Sequence, residues 1–359
     1  MTVREQLLAV LRGQNTDRIP NVEFGYWTLT LTAWHNQGLP DNVTTDAAAE
    51  EHFGLDGITL FEEIPIHTGL YPRFERQVLS TDGEREIVRD DEGNITEAFI
   101  KTSTMPRYIK YGLQTRDDWE RLRTERLDPQ TEGRVGDLTA FFHKAKQTGL
   151  PTFFHAGALY GWLRNWMGVE EFSVAIMTDR PWVEEMMEHI TELTLSLIDR
   201  ALPASGVDIA WWWEDMCYNR GPLISPRLFE ELMVPRYKRI TGALRRHGID
   251  INVLDCDGRI NELAPGWLEA GINCMFPLEA AHTDAFTLRR DLPLVLLFGG
   301  VDKRALIAGR SAIDAEIARL RPLVDQGRFI PCVDHRVPMD VTYSNYCYYL
   351  EAKQKLLNP

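Results

Sequence analysis

The chain has 359 residues and a formal net charge of −14, with 44% hydrophobic and 26% charged residues. This composition is typical of a globular protein, and the negative charge argues against nucleic acid or an anionic membrane as the main partner. Five scattered cysteines without a CxxC pair exclude a disulfide framework. Because the first residues lack a signal-peptide core and no apolar run reaches transmembrane length, we expect a cytoplasmic protein.

Eight short apolar runs are strand candidates, and helical patterns separate most of them. In chain order they are IPNVEF (19–24), GITLFEE (57–63), GLPTFFHAG (149–157), VDIAWWWED (207–215), INVLD (251–255), INCMFPLE (272–279), LVLLFGG (294–300) and RFIPCVDH (328–335). Residues 3–12 predict an amphipathic helix. Ser225-Pro226 predicts a capped helix start.

Residues 71–110 differ in character from the rest of the chain. Apolar and polar residues alternate there, on both sides of a turn cluster at residues 91–94. This pattern is typical of an antiparallel hairpin with one solvated face. We therefore predict a β-hairpin insertion after the second strand.

Eight apolar strands that alternate with helices predict a (β/α)8 TIM barrel, with residues 1–359 forming a single domain. The alternative is an open doubly wound sheet with an extra domain. No glycine-rich nucleotide-binding loop follows any strand candidate, which weighs against that alternative. In a barrel, the carboxyl ends of the strands surround one mouth, where such enzymes carry their chemistry.

Ionisable and polar residues follow most of the strand candidates. They are Glu23, Glu62, Glu63, His155, Tyr160, Glu214, Asp215, Asp255, Asp257, Glu279, His335 and Arg336. Burying several carboxylates together is unfavourable without partners or a ligand, which favours a functional interpretation of Glu63, Glu214, Asp215 and Asp255 as a group. Helix capping is the alternative for any one carboxylate, and it is the interpretation we prefer for Asp302.

Four segments resemble the uroporphyrinogen decarboxylase superfamily, and the resemblance extends over nearly the whole chain. They are REQLLAVLRGQNTDRIPNVEF, ISPRLFEELMVPRYKRI, GGVDKRAL and FIPCVDHRVPMDVTYSNYCYYLE. The superfamily includes the tetrapyrrole decarboxylase and corrinoid-linked methyltransferases, all of them single barrels. The resemblance therefore implies the same barrel fold as the strand pattern.

The resemblance also implies roles for individual residues. Glu63 lies where the decarboxylase has a catalytic aspartate, and Asp215 lies near its substrate-contacting serine. His335 lies where the decarboxylase has a histidine and the methyltransferases have a zinc-binding cysteine. Asp255 and Asp257 lie where those methyltransferases have a histidine and a cysteine ligand. The segment VEFGYWTLT has no arginine, whereas the decarboxylase uses arginines there to hold the carboxylates of its substrate.

The function predicted from the sequence is methyl transfer from a small donor, or its demethylation, with a corrinoid protein or folate as acceptor. The alternatives are cofactor-free decarboxylation of an acidic, tetrapyrrole-like substrate and a non-catalytic ligand-binding barrel. We also predict a homodimer without nucleic-acid or membrane partners. The catalytic candidates are Glu63, Asp215 and His335. The substrate-binding candidates are Glu23, Glu62, His155, Tyr160, Glu214, Glu279 and Arg336. Asp255, Asp257 and His335 are the candidate ligands for zinc or another divalent metal.

Overall fold

The computed structural model describes residues 1–57, 61–100, 105–202 and 206–358. The helices are α1 (Val3–Leu11), α2 (Thr28–His35), α3 (Asp46–Phe53), α4 (Arg116–Arg126), α5 (Leu138–Thr148), α6 (Tyr160–Met167), α7 (Val169–Thr178), α8 (Arg180–Ala201), α9 (Pro226–Leu232), α10 (Val234–Arg246), α11 (Ala264–Glu269), α12 (Ala285–Asp291), α13 (Lys303–Ala308), α14 (Arg310–Asp325) and α15 (Tyr343–Leu357). The strands are β1 (Glu62–Glu63), β2 (Gln77–Thr81), β3 (Arg85–Arg89), β4 (Ile95–Phe99), β5 (Arg107–Lys110), β6 (Thr152–Gly157), β7 (Ile209–Trp213), β8 (Cys217–Tyr218), β9 (Gly221–Pro222), β10 (Ile251–Asp255), β11 (Cys274–Phe276), β12 (Leu296–Val301) and β13 (Phe329–Val333). Across these ranges, no helix is both long and apolar enough to cross a bilayer.

A parallel sheet organises the fold. Within the described ranges it has seven strands in the order β1-β6-β7-β10-β11-β12-β13, and every neighbouring pair is parallel. The order follows the chain without the reversal that defines a doubly wound sheet. Helices connect successive strands, so the carboxyl ends of all seven lie along one edge. Strands β12 and β13 are buried throughout, as expected of parallel strands covered on both faces.

Among the described residues, the first predicted strand is not seen to join the sheet. Residues 19–24 form no strand ladder with that part of the chain, and Pro20 has no N–H to donate to one. The segment lies beside the sheet nonetheless, because the Val333 N–H donates to the Glu23 carboxylate at 2.9 Å. Residues 58–60 of the second predicted strand lie outside the described residues, and β1 carries only its last two positions. The described hydrogen bonds thus show seven strands and not a closed ring of eight.

Strands β2 to β5 form a separate antiparallel sheet, in the region where the sequence predicts antiparallel structure. The turn between β3 and β4 is organised by Asp90, whose Oδ1 accepts from the N–H groups of Glu92 at 3.0 Å and Asn94 at 2.8 Å. Such side-chain contacts stabilise the tight turn that the cluster of polar residues and Gly93 predicts. This sheet falls between β1 and β6 in the chain.

Side-chain caps mark the first turns of two helices whose starts the sequence predicts. Ser225 accepts from the Leu228 N–H, and Asp302 accepts from the Arg304 N–H at 2.8 Å, which confirms both predicted caps. These contacts satisfy backbone donors that a helix leaves without an internal partner. Asp302 is therefore explained by local structure and needs no role at the site.

Candidate functional site

Three aspartates meet at the carboxyl ends of two neighbouring strands. Asp255 is the last residue of β10, Asp257 lies two residues beyond it, and Asp215 lies two residues beyond β7. The Glu214 N–H donates to the Asp255 carbonyl oxygen at 3.0 Å, which joins the two loops. We call Asp215, Asp255 and Asp257 the carboxylate cluster.

Burial and mutual repulsion control the protonation of the carboxylate cluster. Burial raises the pKa of Asp255 well above its ordinary value, and the charges of Asp257 and Asp215 raise it further. Burial also raises the pKa of Asp215, against the opposing charge of Arg164. The cluster therefore holds a proton on Asp255 under conditions where an ordinary aspartate is ionised.

Arg164 fixes the position of Asp215. From α6 it donates to the Asp215 carbonyl oxygen at 2.6 Å and to Oδ2 at 2.5 Å. Its guanidinium also lies over the Trp213 ring, 5.4 Å from the centroid. Asp215 has a φ of 45°, in the left-handed region that few residues other than glycine adopt. The arginine thus stabilises an unusual backbone conformation and neutralises one of the three aspartates.

His335 lies beside the carboxylate cluster. Its Nε2 is 3.4 Å from Asp257 Oδ2, and its ring stacks on Trp27 with centroids 5.7 Å apart. A protonated imidazole at this distance forms an ion pair with the carboxylate. Arg336, predicted to bind substrate, instead pairs with Asp46 at 2.7 Å and also donates to a backbone carbonyl. The arginine is thus already occupied by an internal partner.

A polar cavity of about 100 Å³ lies at the ends of β1 and β6. It is lined by Glu63, Ile66, His67, Thr68, Gly69, Leu70, Arg73, Glu92, His155, Trp162 and Trp166. We call it the histidine cavity. It brings together two of the predicted site residues, Glu63 and His155. The rest of its polar lining comes from the segment after β1, from the antiparallel sheet and from α6.

Burial shifts the pKa values of several ionisable groups of the histidine cavity. Burial raises the pKa of Glu63 and of Glu92, and in both cases Arg73 opposes the shift. Burial lowers the pKa of His155 to about 4, and the charge of Arg73 acts in the same direction. The Gly157 N–H donates to His155 Nδ1 at 3.1 Å, so the neutral ring carries its proton on Nε2. Shifted groups that line an open cavity are candidates for substrate chemistry.

Glu23 is buried in an ion pair and does not line the mouth as predicted. Its Oε1 accepts from Lys353 Nζ at 2.6 Å and from the Tyr349 hydroxyl at 2.7 Å. Its Oε2 accepts from the Val333 N–H. Both side chains of the ion pair have no solvent exposure. Glu23 thus connects α15 to β13, which is a structural role.

Glu214 caps a helix and is fully buried. Its carboxylate accepts from the N–H groups of Leu159, Tyr160 and Gly161 at 2.8 to 3.1 Å, at the start of α6. The Tyr237 hydroxyl donates to it at 2.6 Å. Burial still raises the pKa of Glu214 despite these four donors. The Tyr160 side chain is itself buried, so neither predicted residue is placed to contact a substrate.

Two further predicted glutamates have internal partners. Glu62 points away from Glu63, as alternation along a strand requires, and Lys144 on α5 lies 3.1 Å from it. Glu279 accepts from the Gly258 N–H at 2.9 Å, and Lys303 Nζ lies 3.3 Å from its other oxygen. Glu279 remains at the same sheet edge as the carboxylate cluster, whereas Glu62 faces a helix.

The predicted metal ligands do not form a ligand set. Over the described ranges, no group of three His, Cys, Asp or Glu side chains is arranged to hold a metal ion. Asp257 and His335 approach each other at 3.4 Å, but Asp255 does not complete a set of three ligands with them. A zinc ion would require four ligands in tetrahedral geometry, of which the protein supplies at least three. The metal stays a prediction that this arrangement does not support.

Sequence reasoning missed several residues that shape both sites. Arg164 and Trp162 lie within α6, whose pattern indicates only a helix. Arg73 and Glu92 lie in or next to the predicted hairpin region, far in sequence from His155. The proximity of Arg73 to a strand end was the one available signal, since it follows Glu63 by ten residues.

The fold and the sites define a parallel α/β protein that carries ionisable side chains at the carboxyl ends of its strands. A family model described as Uroporphyrinogen decarboxylase (URO-D) matches residues 96–356, and the chain belongs to this family. Among solved structures, the chain is similar to a methyltransferase from Methanosarcina mazei. The TM-score is 0.62 and the identity 15%, over 99% of this chain and 98% of that chain. At this identity the likeness shows the fold alone. No curated protein matches the chain.

Proposed function

We propose that this URO-D family member is an enzyme that transfers a methyl group from a small donor, or demethylates it. The acceptor is a corrinoid protein or a folate, which takes up the methyl group. The observation that carries the proposal is Asp255 at the carboxyl end of β10, where desolvation and the neighbouring Asp257 and Asp215 raise its pKa. A proton donor at this position is what the release of an alkoxide leaving group requires.

Asp255 is the proton donor in this account. When the methyl group departs, the leaving group keeps the bonding electron pair and takes the proton from the Asp255 carboxyl. The Asp255 carboxylate that remains is reprotonated from solvent before the next turnover. His335 and Asp257, whose Nε2 and Oδ2 lie 3.4 Å apart, orient the substrate beside it. Arg164 holds Asp215 in place, so the cluster is rigid before substrate arrives.

The basic residues near the site favour a small donor over a polycarboxylate. Arg164 pairs with Asp215, Lys303 with Glu279 and Asp334, and Arg336 with Asp46. A substrate with many carboxylates would have to break these pairs to find a counter-charge. Decarboxylation of an acidic, tetrapyrrole-like substrate is therefore the less supported alternative.

A purely structural or non-catalytic protein would pair all of its strand-end carboxylates. Glu23 and Glu214 fit that description, since each is satisfied by internal donors. Asp255 and Glu63 do not, because burial raises the pKa of each and neither forms an ion pair with another described residue. This difference supports catalysis over ligand binding alone.

We further propose that the seven-stranded sheet closes into a single-domain barrel, in which residues 19–24 occupy the eighth position of the wall. The parallel bridge between Tyr26 and Val337 supports this closure. So does the Asp56 N–H, which donates to the Asn21 carbonyl oxygen at 2.8 Å and ties the segment to the chain leading into β1. In a closed barrel the carboxylate cluster and the histidine cavity share one mouth.

The proposal is tested by offering the protein methanol, a methoxylated arene and methylated amines, with reduced cobalamin or tetrahydrofolate as acceptor. Methylated acceptor should form, and Asp255→Asn should lower the rate by roughly 10²–10⁴-fold, the range for loss of an acid–base group. Asp291→Asn, which neutralises an exposed aspartate, is the matched control. Release of carbon dioxide from a porphyrinogen, without methyl transfer from any donor, would overturn the proposal.

A further inference from the structure

The histidine cavity combines both signs of charge within a small volume. Glu63 and Glu92 supply carboxyl groups, and Arg73 supplies a guanidinium. Asp90 and Asp91 also act on Glu92 and raise its pKa. Arg73 pairs with Asp91 at 2.6 Å, and both side chains are more than half exposed. The surroundings thus contain more acidic than basic groups and suit a ligand with a cationic end.

The wall of the same cavity includes a buried hydrogen-bond donor. Trp166 lines it, is 1% exposed, and has a buried indole N–H with no hydrogen-bond partner among the described residues. An unsatisfied buried donor is costly and indicates that a ligand or water completes it. His155 adds an Nε2–H, because its Nδ1 accepts from the Gly157 N–H. These donors suit a ligand that also carries an oxygen anion.

Aromatic rings form the apolar part of the wall. Trp162 stacks on His155 with centroids 6.2 Å apart and on Trp166 at 5.9 Å. Aromatic walls with nearby carboxylates are the usual surroundings of methylated ammonium groups, which cannot donate hydrogen bonds from a fully substituted nitrogen. A volume of about 100 Å³ admits only a small molecule of this kind.

We propose that the histidine cavity binds a small N-methylated amino acid, with its ammonium group against Glu63 and Glu92 and its carboxylate on the Trp166 N–H and Arg73. The inference rests on the proposed function only in making this zwitterion the methyl donor. Binding itself requires no transfer, so the two are tested separately.

The test is calorimetric titration of the whole chain with three probes: N,N,N-trimethylglycine, tetramethylammonium and acetate. The zwitterion should bind about tenfold or more tightly than either of the singly charged probes, since only it uses both kinds of group. Equal binding of tetramethylammonium would overturn the proposal in favour of a plain cation site. Equal binding of acetate would overturn it in favour of an anion site.

Variants separate the two ends of the ligand. Glu63→Gln and Glu92→Gln should each weaken the zwitterion and tetramethylammonium by about tenfold. Glu84→Gln, which removes the same charge from an exposed turn outside the cavity, should change neither. Trp166→Phe keeps the ring and removes the N–H, so it should weaken the zwitterion about threefold to tenfold and leave tetramethylammonium unchanged.

Trp182→Phe is the matched control for Trp166→Phe, because its buried N–H also lacks a partner but lies outside the cavity lining. Zwitterion binding that survives both glutamate variants would contradict the proposal. Binding without methyl transfer would leave this inference intact and remove the proposed function. Methyl transfer from other donors without zwitterion binding would leave the proposed function intact and remove this inference.

Discussion

Two kinds of carboxylate follow the strands of this protein, and they differ in what surrounds them. Glu23 and Glu214 are fully buried, and lysine, tyrosine or backbone N–H groups satisfy them. Asp255 is half-buried, and the charges that raise its pKa are those of two more aspartates. The first kind stabilises the fold, whereas the second stores a proton at a cost in stability. Burial alone therefore does not identify a functional acid; the partners decide it.

The largest expected effect on stability comes from removing the partner of a buried carboxylate that is satisfied in the fold. Lys353→Met leaves Glu23 without its counter-charge in a site with no solvent exposure. We expect a loss of about 3–5 kcal/mol in the free energy of unfolding, measured by urea denaturation. Lys144→Met is the control, because Lys144 is 69% exposed and its contact with Glu62 should contribute less than about 1 kcal/mol. Equal effects of the two variants would contradict the comparison.

A smaller effect is expected when one donor is removed from Glu214. Tyr237→Phe deletes the hydroxyl that donates to it at 2.6 Å and leaves the three backbone N–H groups in place. We expect a loss of about 1–3 kcal/mol in the free energy of unfolding. Methyl transfer per folded molecule should be unchanged, since Glu214 has a structural role. A drop in turnover without a loss of stability would show that Glu214 has a functional role and not only a structural one.

The smallest effect concerns pH, and its sign separates the two kinds of acid. The pKa of Asp255 is raised in the folded state, so the folded state binds this proton more tightly than the unfolded state does. Its contribution to stability is therefore lost as pH rises above about 4, the ordinary aspartate pKa. The free energy of unfolding of Asp255→Asn minus that of the parent should therefore increase as pH rises above this value.

The capping residue Asp118 gives the opposite sign, because hydrogen bonds from Thr115 and backbone N–H groups lower its pKa. Its contribution is present above the ordinary aspartate pKa and is lost as pH falls towards the folded value. Denaturation of Asp255→Asn and Asp118→Asn across pH 3–7 checks both signs. Parallel curves for the two variants would remove the distinction.

Sequence alone predicted the regular parts of this fold well. Apolar runs ending in Asp255 and in Asp215 lie at strand ends, and the caps at Ser225 and Asp302 formed as expected. These features depend on neighbours within a few positions along the chain. The first predicted strand, residues 19–24, was the exception. Its apolar pattern is typical of a strand, but Pro20 has no N–H to donate to a ladder.

The site was less predictable because its chemistry depends on contacts between distant segments. Glu23 and Asp255 look alike in sequence, since each is an acid at the end of an apolar run. Lys353, which satisfies Glu23, lies 330 positions further along the chain. Arg164, which neutralises Asp215, comes from a helix that follows a different strand. Only the folded arrangement shows which carboxylates lack such a partner.

The central claim is that Asp255 retains a proton at pH values where an ordinary aspartate is ionised, and infrared difference spectroscopy tests it directly. The spectrum of the parent minus that of Asp255→Asn at about pH 5, one unit above the ordinary aspartate pKa, should contain the carbonyl stretch of a protonated carboxyl group. That band should disappear as pH is raised through the folded pKa of Asp255. A difference spectrum at about pH 5 with only the bands of an ionised carboxylate would contradict the account.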